Sequence, residues 1–261
     1  MAISYVENTH PLIHCITNPV SMNDCANILL ACGASPIMAE DLEEVEDITC
    51  ASDGLCLNLG MLNERKANAM LKAGLKATER QHPILLDPVG VGASLFRLNH
   101  ALLLLEQCKI SVIRANASEI KALVLHEKAG KGVDVSGLEE QQSIEYARRL
   151  AKHYHCIVVM TGKVDLVTNG HINYFITNGD SRMAKVTGAG CMLSSLMTAF
   201  IACKKDDFMT ACVHATSYMG LAGEFASKKA IGCGSFRTYL VDAIDLINDD
   251  DLKGGAKVEV Q

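Results

Sequence analysis

Short apolar runs punctuate the chain at LIHCIT (12–17), GLCLNLG (54–60), PILLDPV (83–89), ISVIRAN (110–116) and CIVVMTG (156–162). Several are apolar at successive positions, so both faces of the strands they predict must be covered, as happens in a parallel sheet between two helical layers. Between them, NERKANAMLKAGLKATERQ (63–81) and LEEQQSIEYARRLAKHY (138–154) carry apolar residues at helical spacing with charges interleaved. These read as amphipathic helices. Strands alternating with helices predict a three-layer α/β/α fold with a mostly parallel central sheet.

The pattern changes after Gly162. DLVTNG (165–170) and HINYFITNG (171–179) read as two short strands joined near Asn169-Gly170, a pair suited to a tight turn, which predicts an antiparallel edge. From Gly188 onward the spacing is helical over 190–203, 206–228 and 235–248, with GCGSF (232–236) as a break before the last of these. The acidic stretch EDLEEVED (40–47) reads as a solvated helix face, and the tail from 249 to 261 as mobile. No repeat, low-complexity tract or linker interrupts the pattern, so residues 1–261 are expected to form one domain.

Composition narrows the function classes. With 49% hydrophobic and 21% charged residues, the 261-residue chain is an ordinary globular protein. A formal net charge of −6 offers no basic surface for a nucleic acid or an anionic membrane, so neither is expected as a partner. That balance does not exclude ATP, whose phosphates are commonly held by backbone N–H groups, a metal and a few local cations. The 11 cysteines are scattered, odd in number and partly within apolar segments, as at Cys56, Cys156 and Cys203, which fits free thiols in a reducing compartment. No cationic-then-apolar leader and no run of about 18 apolar residues occurs, so a cytoplasmic location is expected.

In open α/β sheets ligands bind beyond the carboxyl ends of the strands. Four strands here end in polar residues: Thr17-Asn18-Pro19, Asp87-Pro88-Val89-Gly90, Arg114-Ala115-Asn116 with Ser118 and Glu119, and Thr161-Gly162. Any one of these is equally well a cap or a turn; four together point to a site. VTGAGCMLSSLMTAF (186–200) places Gly188, Ala189 and Gly190 before an apolar helix, so the backbone N–H groups of 188–191 are candidates for an anion hole. The turn is neither a P-loop nor a dinucleotide fingerprint. Cys191, at the helix start, is expected to have its thiol pKa lowered toward neutrality by the helix dipole, and reads as a proton acceptor, a nucleophile or a small space-filling residue. His14 and His214 read as structural, and no His, Cys and carboxylate spacing matches zinc.

Taken in order, CITNPVSMNDCANILLACGASPIMAED (15–41), DPVG (87–90), RANASEI (114–120), MTGKVD (160–165) and VTGAGCMLSS (186–195) resemble the hydroxyethylthiazole kinases of thiamine salvage over nearly the whole chain. Most other ribokinase-like kinases carry Asp where Cys191 stands. The resemblance implies a ribokinase-like fold and ATP-dependent phosphorylation of the primary hydroxyl of 4-methyl-5-(2-hydroxyethyl)thiazole. It implies that Arg114 and Thr161 contact ATP, that Met38 and Gly188 line the thiazole pocket, and that Cys191 stands at the catalytic-base position. Asn116 and Glu119 match an Asn-x-x-Glu pattern that organises Mg²⁺ and phosphate, usually through water, with Asp87 a second candidate for that region. It further implies a homotrimer with thiazole sites between subunits. Three readings stay open beside it: a kinase of another vitamin-precursor alcohol such as hydroxymethylpyrimidine, a precursor-binding protein without catalysis, and a Cys191 hydrolase for which the sequence names no His partner.

Overall fold

The computed structural model describes residues 3–127 and 140–261. The chain begins with α1 (Ile3–Thr9), β1 (Leu12–Ile16), α2 (Met22–Ala31), β2 (Ser35–Ile37), α3 (Val45–Ala51), β3 (Gly54–Asn58) and α4 (Glu64–Arg80). It continues through β4 (Ile84–Asp87), α5 (Leu95–Gln107), β5 (Val112–Asn116), α6 (Ala117–Leu125), α7 (Glu140–Tyr154) and β6 (Ile157–Thr161). After β7 (Asp165–Thr168) and β8 (Asn173–Ile176) come α8 (Ala189–Cys203), α9 (Phe208–Lys229), α10 (Cys233–Leu246), α11 (Asp249–Gly255) and β9 (Val258–Val260).

The strands form a single nine-stranded sheet in the order β2-β1-β3-β4-β5-β6-β7-β8-β9. The first six pair in parallel and the last three antiparallel. Alternate residues of each central strand enter opposite layers. Ile13, Cys15, Cys56, Leu85, Val112 and Val159 pack against α2 and α8 to α11. Ile16, Leu55, Leu57, Leu86, Ile113 and Val158 pack against α4 to α7. Both faces being covered is why these strands read as continuous apolar runs.

Helix α8 is buried over Met192–Ala202, whereas α4 buries one stripe, centred on Ala69, Met70, Ala73 and Ala77. Helix α4 also carries Lys66, which is buried, donates to the Thr17 carbonyl at 2.8 Å and pairs with Glu40 at 3.1 Å. A buried ammonium so paired pins the loop leaving β1.

Several expectations need correction. The tail from 249 is ordered: Leu252 of α11 is buried, and β9 pairs with β8 at Ile176↔Val258 and Tyr174↔Val260. Its density of charge concealed one anchoring leucine and a strand bonded mainly through backbone. The 40–47 stretch is solvent-facing at Glu40, Glu43, Glu44 and Asp47, but it is helical only from Val45, which is buried, and Asp41 and Glu46 pair with Arg65 and Lys72 of α4. Asn169 and Gly170 do turn the chain, but within a four-residue loop in which Asn169 Oδ1 accepts from the N–H groups of His171 and Ile172, both at 2.9 Å. Helix α10 starts at Cys233, inside the expected break. Of the helix expected over 138–154, residues 138 and 139 lie outside the described residues.

Candidate active site

Parallel register brings the carboxyl ends of β3, β4, β5 and β6 side by side, with Asn58 opposite Asp87 and Asn116 opposite Thr161. Asp87 closes β4 with no solvent exposure. Its Oδ1 lies 3.3 Å from Arg114 Nη1, and its Oδ2 accepts from the Ser194 hydroxyl and from Asn58 Nδ2, each at 2.8 Å. Burial pushes the Asp87 carboxyl up from its ordinary pKa, and Arg114, Ser194 and Asn58 oppose that shift. Arg114 Nη2 donates to the Thr161 hydroxyl at 2.8 Å. The buried Arg114 Nε has no partner among the described residues, leaving a donor for a ligand.

The guanidinium lies against the first turn of α8. A Cβ added at Gly190 would stand 2.6 Å from Arg114 Nη2 and 2.9 Å from its Cζ, so a side chain there would displace the cation. Gly188 caps the helix at φ +83°, and a Cβ there would meet Ser21 Cβ at 3.0 Å. Of the four amides of 188–191, that of Ala189 is partly engaged by the Val186 carbonyl, at 3.4 Å.

Asn116 and Glu119 meet as a capping box at the start of α6. Asn116 Oδ1 accepts from the Glu119 N–H and Glu119 Oε2 from the Asn116 N–H, each at 2.9 Å; Glu119 Oε1 accepts from the Gly90 N–H at 2.9 Å. Burial, followed by the charge of Asp87, pushes the Glu119 carboxyl up, while the two N–H bonds and Arg114 pull it down. Among the described residues no group of three His, Cys, Asp or Glu side chains is arranged to clasp a metal. The side-chain oxygens of Asn116, Glu119 and Asp87 are already engaged by N–H, O–H or guanidinium donors, so no direct chelation is arranged among them.

Cys191 does not line the cavity beside Arg114 and lies instead among amide donors. Its Sγ is 3.2 Å from Asn58 Nδ2 and 3.6 Å from Asn18 Nδ2. The thiol pKa is raised, by burial first and by the charge of Asp87 second, against the nearby Ser21 hydroxyl, which makes no hydrogen bond among the described residues, and the donated N–H groups of Asn58 and Asn18. The direction is thus opposite to the expected lowering toward neutrality, because desolvation and a nearby carboxylate both disfavour the thiolate.

A cavity of about 790 Å³ opens on the Arg114 side, large enough for a nucleotide, with Asn116, Thr161, Asp165, Gly190 and Thr216 among its lining. Thr216 Oγ1 is buried there without a partner among the described residues. Burial pushes the Asp165 carboxyl up to about 6. Met38 is not in this lining; it follows β2 and packs, partly buried, against the layer containing α2 and α8. A second cavity of about 830 Å³ lies by the amino ends of β5 and β6, lined by Lys109, Ser111 and His155, and holds none of the strand-end residues.

Sequence reading missed Asn58 and Ser194, which complete the Asp87 cluster. The signal for Asn58 was present as the one strongly polar side chain inside GLCLNLG. Ser194 lies one helical turn beyond Cys191 and is fully buried on a helix that also buries Ser195 and Thr198, so residue type alone did not single it out. His14, likewise buried, bonds Thr49 Oγ1 at 3.0 Å and the Ala39 carbonyl at 2.8 Å, a structural arrangement as expected.

Residues 3–250 match the family model described as the hydroxyethylthiazole kinase family. A hydroxyethylthiazole kinase of Clostridium acetobutylicum is 44% identical, with 97% of this chain and 96% of that protein aligned. One of Methanosphaerula palustris is 40% identical over 99% of this chain and 97% of its own length. Among solved structures, the hydroxyethylthiazole kinase protein of Pyrococcus horikoshii OT3 superposes with a TM-score of 0.91 at 36% identity, covering 99% of this chain and 97% of its own. Pyridoxal kinase of Staphylococcus aureus, at 15% identity and a TM-score of 0.67 over 96% of this chain and 98% of its own, shares the ribokinase-like fold. No helix among the described residues is long and apolar enough to cross a membrane.

Proposed function

The chain belongs to the hydroxyethylthiazole kinase family, and on that premise we propose that it transfers the terminal phosphoryl group of ATP to the primary hydroxyl of 4-methyl-5-(2-hydroxyethyl)thiazole, yielding the thiazole phosphate and ADP. The observation that carries this reading is the first turn of α8, where Arg114 and Gly190 line a nucleotide-sized cavity and the neighbouring Cys191 lies outside that lining among Asn18, Asn58 and Ser21. A phosphoryl group passing from that cavity toward Cys191 would cross the amides of 188–191.

Phosphoryl transfer asks for positioning and charge neutralisation more than for covalent chemistry. Arg114 supplies a planar cation with a free Nε–H, held by Thr161 and Asp87, to meet the triphosphate. Mg²⁺, when bound, neutralises phosphate charge; Asn116, Glu119 and Asp87 would hold it through water. Met38 and Gly188 are assigned to the thiazole side of the turn. Cys191 stands at the catalytic-base position, yet burial keeps its proton in place in the free protein, so we assign it to orient the alcohol, whose proton leaves late.

We further infer one kinase domain over 1–261, acting in the cytoplasm as a homotrimer whose thiazole pockets are shared between subunits. Light scattering should give three times the chain mass, and a fully active monomer would refute the shared pocket. Coupled detection of ADP tests the activity itself. Turnover of the thiazole alcohol that EDTA abolishes is expected, whereas turnover of hydroxymethylpyrimidine alone would reassign the substrate.

A further inference from the structure

Two carboxamides contact the Cys191 sulfur, and neither is free to turn. Asn18 Oδ1 accepts from the backbone N–H groups of Val20 at 3.1 Å and Ser21 at 3.2 Å, which fixes Nδ2 as the end facing Sγ. Asn58 Oδ1 accepts from the Gly60 N–H and from Asn18 Nδ2, each at 3.0 Å, so its Nδ2 must point at Cys191 Sγ and Asp87 Oδ2. An amide flip would set oxygen against oxygen in both residues and abandon three backbone N–H groups. The backbone is shaped for this pair: a Cβ at Gly60 would stand 2.7 Å from Asn18 Nδ2 and 2.9 Å from Asn58 Oδ1. Both asparagines are buried, so the pair is no surface accident.

We propose that Asn58, locked by Asn18, is a positioning residue for the transfer: the two N–H donors occupy the sulfur lone pairs of Cys191 and leave its S–H bond directed at the oxygen of the acceptor alcohol. One lone pair of that oxygen is then held by the thiol and another forms the bond to phosphorus as the bond to the ADP oxygen breaks, and the alcohol proton passes late to an oxygen of the transferred phosphoryl group. Asn58 Nδ2 also donates its second hydrogen to Asp87, which keeps that carboxylate from taking the S–H for itself. The inference deepens the kinase reading and rests on it for its consequence, but the geometry at sulfur is independent of any activity.

Asn58→Asp keeps the shape and reverses the polarity, since the introduced carboxylate accepts the S–H and turns it away from the alcohol. The expected result is a fall in kcat of at least about 10-fold with the KM for thiazole alcohol near that of wild type. This loss should be clearly smaller when the substitution is made in a Cys191→Ala background, where only the contact with Asp87 remains to be lost. In the free protein, iodoacetamide labelling read peptide by peptide at one mildly alkaline pH should slow at Cys191, with exposed Cys233 as the internal reference. Should Asn58→Asp fail to fold, Asn18→Asp, which keeps the oxygen that caps Val20 and Ser21, carries the same measurements. An equal loss of kcat with and without Cys191 would overturn the proposal by placing Asn58 on Asp87 alone. Unchanged labelling of Cys191 would overturn it as well, and that readout stands whether or not the chain phosphorylates the thiazole.

Discussion

At the scale of single residues, the site depends on side chains whose neighbours set their chemistry. Cys191 shows this most plainly, because its position at a helix start suggests a thiolate and its burial beside Asp87 enforces a thiol. If it orients the alcohol through S–H, Cys191→Ser should keep most of kcat, since a hydroxyl donates in the same direction, whereas Cys191→Ala should lose about 10-fold or more. Steady-state rates with thiazole alcohol check both. His14 belongs to stability instead. Burial lowers its pKa below 6.5, so the folded chain holds it neutral while the unfolded chain protonates it; its contribution is present above 6.5 and lost as pH falls below. The melting temperature should drop between about pH 7.5 and 5.5, and His14→Gln should shrink that drop. Which residues end the strands was legible from the sequence; what they touch was not, because Asn58, Ser194 and the alignment of the two asparagines follow from parallel register and from the packing of α8.

At the scale of elements, the apolar runs located β1 and β3 to β6 to within a residue or two, since each is buried on both faces and nothing competes with that pattern. Elements held by few side chains were harder: β2 has three residues and none fully buried, and β9 is exposed throughout. Glycines divide the same way. On α9, a Cβ at Gly220 would meet Asn178 Cβ at 2.6 Å and its backbone carbon and oxygen at 2.8 Å, so the helix lies directly on the segment leaving β8. Gly220→Ala should destabilise by about 1–3 kcal/mol through overpacking, lowering the melting temperature by about 2–10 °C. On α10, Gly234 has nothing within 4 Å of the same added atom. Gly234→Ala should stabilise by up to about 1 kcal/mol, the helix propensity difference, and calorimetry of both variants separates packing from propensity.

At the scale of the molecule, the antiparallel edge closes one wall of the cavity beside Arg114. Asn178, in that wall, donates to the Gly255 carbonyl at 2.9 Å and accepts from the Lys257 N–H at 2.7 Å, while Lys257 Nζ pairs with Glu224. Deleting residues 256–261 should therefore raise the KM for ATP as well as lower the melting temperature, and an unchanged ATP KM would confine the tail to stability. The three-layer architecture was legible because binary pattern dictates it; the tail's part in the cavity was not, because it runs through backbone atoms that sequence does not mark.

The convergence of strand ends also has a temporal side. Asn18 meets Cys191 across 173 residues of chain, Asn58 meets it across 133, and Ser194 meets Asp87 across 107. Contacts of such span close only after most chain entropy has been given up, so they belong to the late steps of folding. A half-folded chain with native helices would hold the Cys191 thiol exposed and unengaged. Labelling of Cys191 during refolding, measured against Cys233, would accordingly act as a clock for the moment the sheet becomes continuous.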